Sequence, residues 1–174
     1  MRMIKGRMRI MNKIHLEKVT WDTVNDIIKL KVNKDQKEFV ASNADSFIDA
    51  YFGMKEDKIN VFTYGIYFGK KPVGFIMFAN NVPWAEKYYG LKDDYYYIWR
   101  FMIDKKYQGN GYGREAMKLV LELIKTYPSG KTDYCWLSYE PENEVARKLY
   151  LSLGFEERLD LYKEDMEIPA VYKL

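Results

Sequence analysis

Three glycines at alternate positions, Gly109, Gly111 and Gly113, lie in the segment Gln108-Gly109-Asn110-Gly111-Tyr112-Gly113-Arg114, between an apolar run and an amphipathic one. Lacking Cβ atoms, such a backbone takes positive φ readily and turns consecutive N–H groups toward one anion. A helix opening at this point adds unpaired amides and the positive end of its macrodipole. The chemistry indicated is the binding of a phosphate or pyrophosphate. A dinucleotide loop needs its third glycine one residue later, where Arg114 stands, and a nucleoside triphosphate loop needs Gly-Lys-Ser/Thr, which this segment lacks. A glycine-rich turn that only caps a helix is the alternative on these letters.

A second pair able to do chemistry is Asn143 and Tyr150, about two helical turns apart. With Val145, Ala146, Leu149 and Leu153, Tyr150 shares one helix face, and Gly154 follows as a C′ residue. A phenol so placed can give up a proton, but taken alone a tyrosine at this spacing is more often core. The chain has one cysteine, Cys135, and one histidine, His15, so neither an internal disulfide nor a Cys/His zinc cluster can form. A Cys–His nucleophile pair would require these two to meet in space. Cys135, inside an apolar run, reads as core and His15 as an edge-strand residue, so covalent catalysis is not indicated and no metal is expected.

The elements that must position these residues alternate along the chain. Strands are expected at 14–20, 60–68, 73–79, 95–104 and 132–139, with two more near 155–161 and 170–174. Gly69–Pro72 reads as a hairpin turn between the second and third strands. Helices are expected at 22–32, with Val24, Ile27 and Ile28 on one side, at 44–52, at 113–127 and at 142–153. In the third, Met117, Val120, Leu121 and Ile124 form the apolar stripe, opposite Glu115, Lys118, Glu122 and Lys125. Residues 80–94, interrupted by Pro83, read as loop. Strand, loop, helix and strand in succession imply a parallel pair, and the hairpin an antiparallel one. The fold class is α/β (α+β): a mixed, twisted sheet of six to seven strands flanked by about four helices.

Composition fits one compact domain. The chain has 174 residues, 48% of them hydrophobic, enough for a sizeable core. No apolar run approaches the roughly 18 residues of a membrane span. The N-terminal residues alternate charge with apolar side chains and have no h-region, so no signal peptide is read and a cytoplasmic location is expected. Setting aside Arg2, Lys5, Arg7, Arg9 and Lys13 leaves 23 basic residues against 25 acidic ones, so the formal charge of +3 belongs to this leader. Residues 1–10 are therefore assigned as a basic N-terminal extension and 11–174 as the domain. Met11 is an alternative start, and a basic arm touching a neighbouring subunit, hence a homodimer, is the other reading. Nucleic acid and membrane partners are not indicated.

Gln108–Gly113 resembles the acetyl-CoA loop, Q/R-x-x-G-x-G/A, of the GNAT N-acetyltransferases. Asn143-x-x-Ala146-x-x-x-Tyr150 followed by Gly154-Phe155 is similar to the second signature of that family, at the right distance downstream with a helix and a strand between. The resemblance spans about residues 61 to 155 and is greatest to the bacterial spermidine/spermine acetyltransferases. It implies a GNAT fold, acetyl-CoA as acyl donor and direct attack of a neutral amine on the thioester. A lysine-type amine has a pKa of about 10.4, so its neutral form costs roughly 4–5 kcal/mol at pH 7 and a base or a water relay should help. By the same resemblance Tyr150 protonates the leaving thiolate, and backbone groups of Phe101, Met102 and Ile103 pair with the pantetheine arm. Amides of Gln108, Gly109, Asn110, Gly111, Tyr112, Gly113 and Arg114 hold the pyrophosphate, Asn143 steadies the cofactor or the tyrosine, and Lys148 or Arg147 reaches a CoA phosphate.

The base is less determined. Those relatives often carry an acidic residue two positions before the Phe-Met-Ile trio, where this chain has Trp99. Glu140 is the first substitute, with Glu86, Asp93, Asp94 or a water relay as alternatives. Aromatics, 17% of the chain, crowd into Trp84, Tyr88, Tyr89, Tyr95, Tyr96, Tyr97 and Trp99 beside Glu86, Asp93 and Asp94. Such a mixture suits an extended organic cation, so Trp84, Glu86, Asp93, Asp94, Tyr97 and Trp99 are the candidate substrate contacts for a polyamine. Strands favour aromatics and loops favour acids for their own reasons. Aminoglycosides, amino acids and protein N-termini stay open as acceptors, as does a non-catalytic acyl-CoA-binding domain.

Overall fold

The computed structural model describes residues 13–92 and 94–174. The extension assigned to residues 1–10, and Asp93, lie outside the described residues. The elements run β1 (Ile14–Lys18), α1 (Val24–Ile28), a 3₁₀ turn (Lys34–Gln36), α2 (Asn43–Phe52) continued by a π turn (Gly53–Asp57), β2 (Val61–Phe68), β3 (Lys71–Asn80), α3 (Pro83–Tyr89), β4 (Tyr96–Ile103), α4 (Tyr112–Ile124), β5 (Tyr134–Tyr139), α5 (Glu144–Ser152), β6 (Glu156–Glu157) and β7 (Ile168–Lys173).

The seven strands form one sheet in the order β1-β2-β3-β4-β5-β7-β6. Every pairing is antiparallel except β4–β5. One face carries a core of Ile66, Ile76, Phe78, Tyr96, Ile98 and Leu137, closed by Met117, Val120, Leu121 and Ile124 of α4 and Tyr150 of α5. The stripe expected on α4 is buried, and Glu115, Lys118 and Glu122 opposite it are exposed. The other face is closed by α1 and α2 over Phe75, Met77 and Met102, and by α3 over Ala79, Tyr97 and Trp136.

Four expectations need correction. The first helix ends at Ile28, because the chain beyond is claimed elsewhere: Lys31 donates its N–H to the Asp104 carboxylate (2.8 Å) and its carbonyl accepts from Lys105 (2.9 Å). Of its apolar residues only Ile27 is buried. Residues 80–94 are not all loop, since Pro83 opens α3 at N1, where a missing N–H costs nothing, and Gly90 closes it at φ 67°. Pro72 belongs to β3, which leaves Gly69 and Lys70 as the turn, and the strand expected at 155–161 shrinks to Glu156–Glu157.

Two irregularities in β4 shape the molecule. In register, Met77 faces Arg100 and Phe78 faces Ile98, so Trp99 is an extra residue. This bulge turns Trp99 and Arg100 toward α2 and returns Phe101 and Ile103 to the α4 side. On its other edge β4 pairs with β5 only from Tyr96 to Ile98 against Cys135 to Leu137. Beyond Ile98 the two strands part, and among the described residues the Phe101–Ile103 backbone has no strand partner on that side. On the near side, Gly74 lets β3 approach, for a Cβ there would stand 2.4 Å from the Met102 carbonyl oxygen.

Candidate active site

A cavity of about 740 Å³ opens where β4 and β5 part. Its walls come from both faces of the sheet: Phe101, Ile103, Leu149 and Tyr150 on the α4–α5 side, and Val40, Trp99, Arg100, Ser138 and Glu167 on the other. The cavity therefore passes through the sheet rather than lying on it.

The glycine loop forms one end. Gly109 and Gly111 both have φ of 78°, a conformation that costs side-chain-bearing residues, and open space lies beyond a Cβ at either. Gly111 is the N-cap of α4, whose first backbone hydrogen bond runs from Glu115 N–H to the Gly111 carbonyl (3.2 Å). The amides of Tyr112, Gly113 and Arg114 thus have no partner in the helix. Gly113 has helical φ, and a Cβ there would rest at 3.6–3.8 Å from Phe101, Ile103 and Leu149, all cavity residues. Such a cradle fits a bulky anion of the phosphate class.

Side chains brace the loop. Gln108 donates to the Ile103 carbonyl (3.0 Å) and to Gln36 (2.8 Å) and accepts from Asn33 (3.1 Å), which ties the loop to the segment after α1. The Asn110 side chain does not line the cavity and donates to the carbonyls of Tyr107 (3.0 Å) and Gln108 (3.2 Å). Arg114 donates to Ser152 Oγ at 2.6 Å, and both Arg114 and Lys148 line the cavity beside the loop. Arg147 does not line it; it holds Glu157 through Nε (2.7 Å) and Nη2 (3.2 Å).

At the other end the Tyr150 ring is buried against Tyr139 and Phe155. Burial first, and the charge of Glu167 second, push its phenol above the ordinary tyrosine value, so it stays protonated at neutral pH. Asn143 caps α5, its Oδ1 accepting from Ala146 N–H (3.1 Å), and it too lines the cavity. Val145, expected on the buried face, is 73% exposed at the rim.

The sequence-derived residues divide cleanly. Trp99, Phe101, Met102, Ile103, Gln108, Gly109, Gly111, Tyr112, Gly113, Arg114, Asn143, Lys148 and Tyr150 surround one cavity. Trp84, Glu86, Asp94, Tyr97, Asn110 and Glu140 do not line it. Trp84 packs on Tyr97 (5.1 Å between centroids) and Trp99 (6.3 Å), Tyr97 is fully buried, Glu86 is exposed on α3, and Asp94 accepts from Asn81 (2.8 Å). Most of the aromatic cluster is thus core beneath α3. Among the described residues, the carboxylates that do reach the cavity are Glu38 and Glu167, alongside Ser138 and Arg100, none of which the spacing of residues could identify. Arg100 binds Asp49 (3.1 Å) and the Trp99 carbonyl (2.9 Å). Its Nε is the one buried side-chain polar atom without a partner among the described residues.

Comparison with known proteins agrees with this geometry. The chain is 31% identical over 144 residues to a probable spermine N(1)-acetyltransferase of Bacillus subtilis subsp. natto (strain BEST195), and 30% identical over 144 residues to a spermine/spermidine N(1)-acetyltransferase of Bacillus subtilis (strain 168). Each alignment covers 82% of this chain and 88% of the relative. The fold is similar to that of aminoglycoside acetyltransferase AAC(6')-Ib in complex with coenzyme A (TM-score 0.69, 16% identity, 92% of this chain and 95% of the other). It is also similar to that of a PaiA N-acetyltransferase from Thermoplasma acidophilum in complex with coenzyme A (TM-score 0.61, 12% identity, 93% and 99%). The sequence profile of the acetyltransferase (GNAT) family matches residues 28–155, from the end of α1 to the glycine–phenylalanine pair after α5. The protein belongs to the GNAT family and is an N-acetyltransferase.

Proposed function

We propose that the protein transfers the acetyl group of acetyl-CoA directly to a primary amine of a small polycationic molecule, with spermidine or spermine as the acceptors of choice. The observation that carries this reading is the cavity that crosses the sheet where β4 and β5 part. A donor can enter on the α4–α5 side and an amine on the other, so the two meet without either leaving.

In this reading the amides at the start of α4 hold the pyrophosphate, with Arg114 and Lys148 adding positive charge. The unpaired edge of Phe101–Ile103 pairs with the pantetheine amides as an added strand would, and one of its N–H groups polarises the thioester carbonyl. The amine nitrogen attacks that carbon, the C–S bond breaks with its electrons on sulfur, and Tyr150 donates its phenolic proton to the departing thiolate. A phenol kept protonated by its surroundings suits that step. Asn143, its oxygen used by the cap, keeps Nδ2 for the cavity.

Two findings support a cationic acceptor. The relatives named for spermine and spermidine align over most of the chain, and Glu38 and Glu167 bring negative charge to the cavity while Asp49 offsets Arg100. Thiol release from acetyl-CoA across spermidine, spermine, an aminoglycoside, single amino acids and a peptide tests the reading. Release with spermidine or spermine alone is expected. Release only with another amine would keep the transfer chemistry and remove the polyamine. Acetyl-CoA binding with silence across the panel would make the protein an acyl-CoA sensor.

A further inference from the structure

Strand alternation puts a row of oxygens on the sheet face opposite Tyr150. The Tyr97 hydroxyl of β4 donates to Ser138 Oγ of β5 (2.7 Å), and the Ser138 hydroxyl donates to the carboxylate of Glu167, the residue before β7. A serine has one proton to give, and here Glu167 takes it. The hydroxyl of Tyr89 in α3 donates to the Glu167 carbonyl (3.1 Å) and fixes its backbone. Of these, Ser138 and Glu167 line the cavity, while Tyr97 is buried behind them. One carboxylate is thus held by its neighbours and presented to the chamber that Tyr150 enters from the other face.

We infer that Glu167 is the catalytic base of the acetyl transfer: it receives the incoming ammonium on the acceptor side and removes the proton that the nitrogen must lose. Ser138 and, through it, Tyr97 are positioning residues for that carboxylate. The inference rests on the acetyl-transfer reading above and completes its proton balance. The acceptor arrives as R–NH₃⁺ and gives one proton to Glu167, which leaves a neutral amine to attack; as the C–N bond forms, the nitrogen loses a second proton to solvent. The C–S bond breaks, sulfur takes the electron pair, and Tyr150 supplies the proton that makes CoA–SH. Glu167 is left with one proton more and Tyr150 with one fewer, and exchange with solvent restores both.

The surroundings of Glu167 fit this role. Facing it are Ser138 of β5 and Glu140 just after it, Tyr97 from β4, Tyr89 from α3 and Tyr150 from α5, and the other charged residues of the cavity lining are Glu38, Arg100, Arg114 and Lys148. The β5–β7 ladder ends with Tyr139 opposite Ile168, so Glu140 and Glu167 come next on the two strands. Like charges at facing positions repel. Glu140 is pushed above the usual carboxylate range by burial, then by Glu167 and Glu142. An ammonium docked at Glu167 relieves that repulsion.

The test compares wild type with Glu167→Gln, which keeps the shape and an acceptor for Ser138, and with Glu167→Asp. The acceptor is the panel amine that wild type turns over fastest, spermidine being expected. At pH 7, Glu167→Gln should lower kcat about 10²-fold while acetyl-CoA binds as in wild type, and Glu167→Asp should recover part of the loss. The deficit should shrink as pH approaches about 10, where roughly a quarter of an amine of pKa about 10.4 is already neutral, against about 0.04% at pH 7. Ser138→Ala should show a smaller loss with the same pH dependence. A kcat within twofold of wild type, a deficit unchanged between pH 7 and 10, or a loss confined to KM would each overturn the inference while leaving acetyl transfer standing. A wild-type protein silent with every amine would instead remove the reading on which it rests.

Discussion

Alanine at Gly111 and at Gly113 should have opposite effects on stability and the same effect on donor binding. Gly111 has φ of 78°, where an L side chain costs roughly 1–2 kcal/mol, so Gly111→Ala should lower Tm by about 2–8 °C for a chain of this size. Gly113 lies in the first turn of α4, and its added methyl would make only ordinary contacts at 3.6–3.8 Å. There Gly→Ala relieves chain entropy worth up to about 0.5–1 kcal/mol, so Tm should hold or rise by about 1–4 °C. That methyl nevertheless enters the cavity between Phe101, Ile103 and Leu149, beside the amides proposed to hold the pyrophosphate. A loss of at least tenfold in acetyl-CoA affinity, about 1.4 kcal/mol or more, should follow in both variants. Thermal denaturation and calorimetric titration with acetyl-CoA measure the two effects separately. A Gly113→Ala protein that is as stable as wild type and binds acetyl-CoA equally well would refute the assignment of the loop.

Three further outcomes are expected. Tyr150→Phe should leave acetyl-CoA affinity nearly intact and lower kcat about 10²-fold; unchanged turnover would remove the phenol from the mechanism. Cys135 is buried, which pushes its thiol up, so Ellman's reagent should find no thiol in the native protein and one after unfolding; a native thiol would mean that the core opens. Glu157 is held below the usual carboxylate range by Arg147 and then Tyr139, so its ion pair stabilises the fold above the unfolded value of about 4.3 and is lost as pH falls through the lower folded value. The difference in Tm between wild type and Glu157→Gln should therefore be largest near neutrality and narrow below about pH 4, and a difference independent of pH would rule the pairing out as its source.

What the sequence makes legible follows from which interactions are local. Positive φ and converging amides demand glycine at short range, so the Gly109–Gly113 loop can be read directly, and the 3.6-residue stripe of α4 likewise. The spacing of Asn143 and Tyr150 on one helix is equally local. The bulge at Trp99 is not, because one extra residue in β4 is visible only against the register of β3. Strict alternation would send Phe101 and Ile103 to the wrong face. Glu167 follows a stretch without periodicity, and only the pairing of β7 with β5 brings it to Ser138. The truncation of α1 has a similar cause, since Asp104, far along the chain, takes the amide of Lys31. In α3 a signal was present, for Pro83 opens the seven-residue helix at N1 and Gly90 follows as its C-cap.

Counting both products of one reaction tests the central claim most directly: free CoA and N-acetylated spermidine, measured together from acetyl-CoA and spermidine, with the protein itself checked for acetyl label. Direct transfer through the split in the sheet predicts equal amounts of the two and no stable acetyl-protein. CoA released without acetylated amine, or label retained on the protein in proportion to turnover, would contradict it.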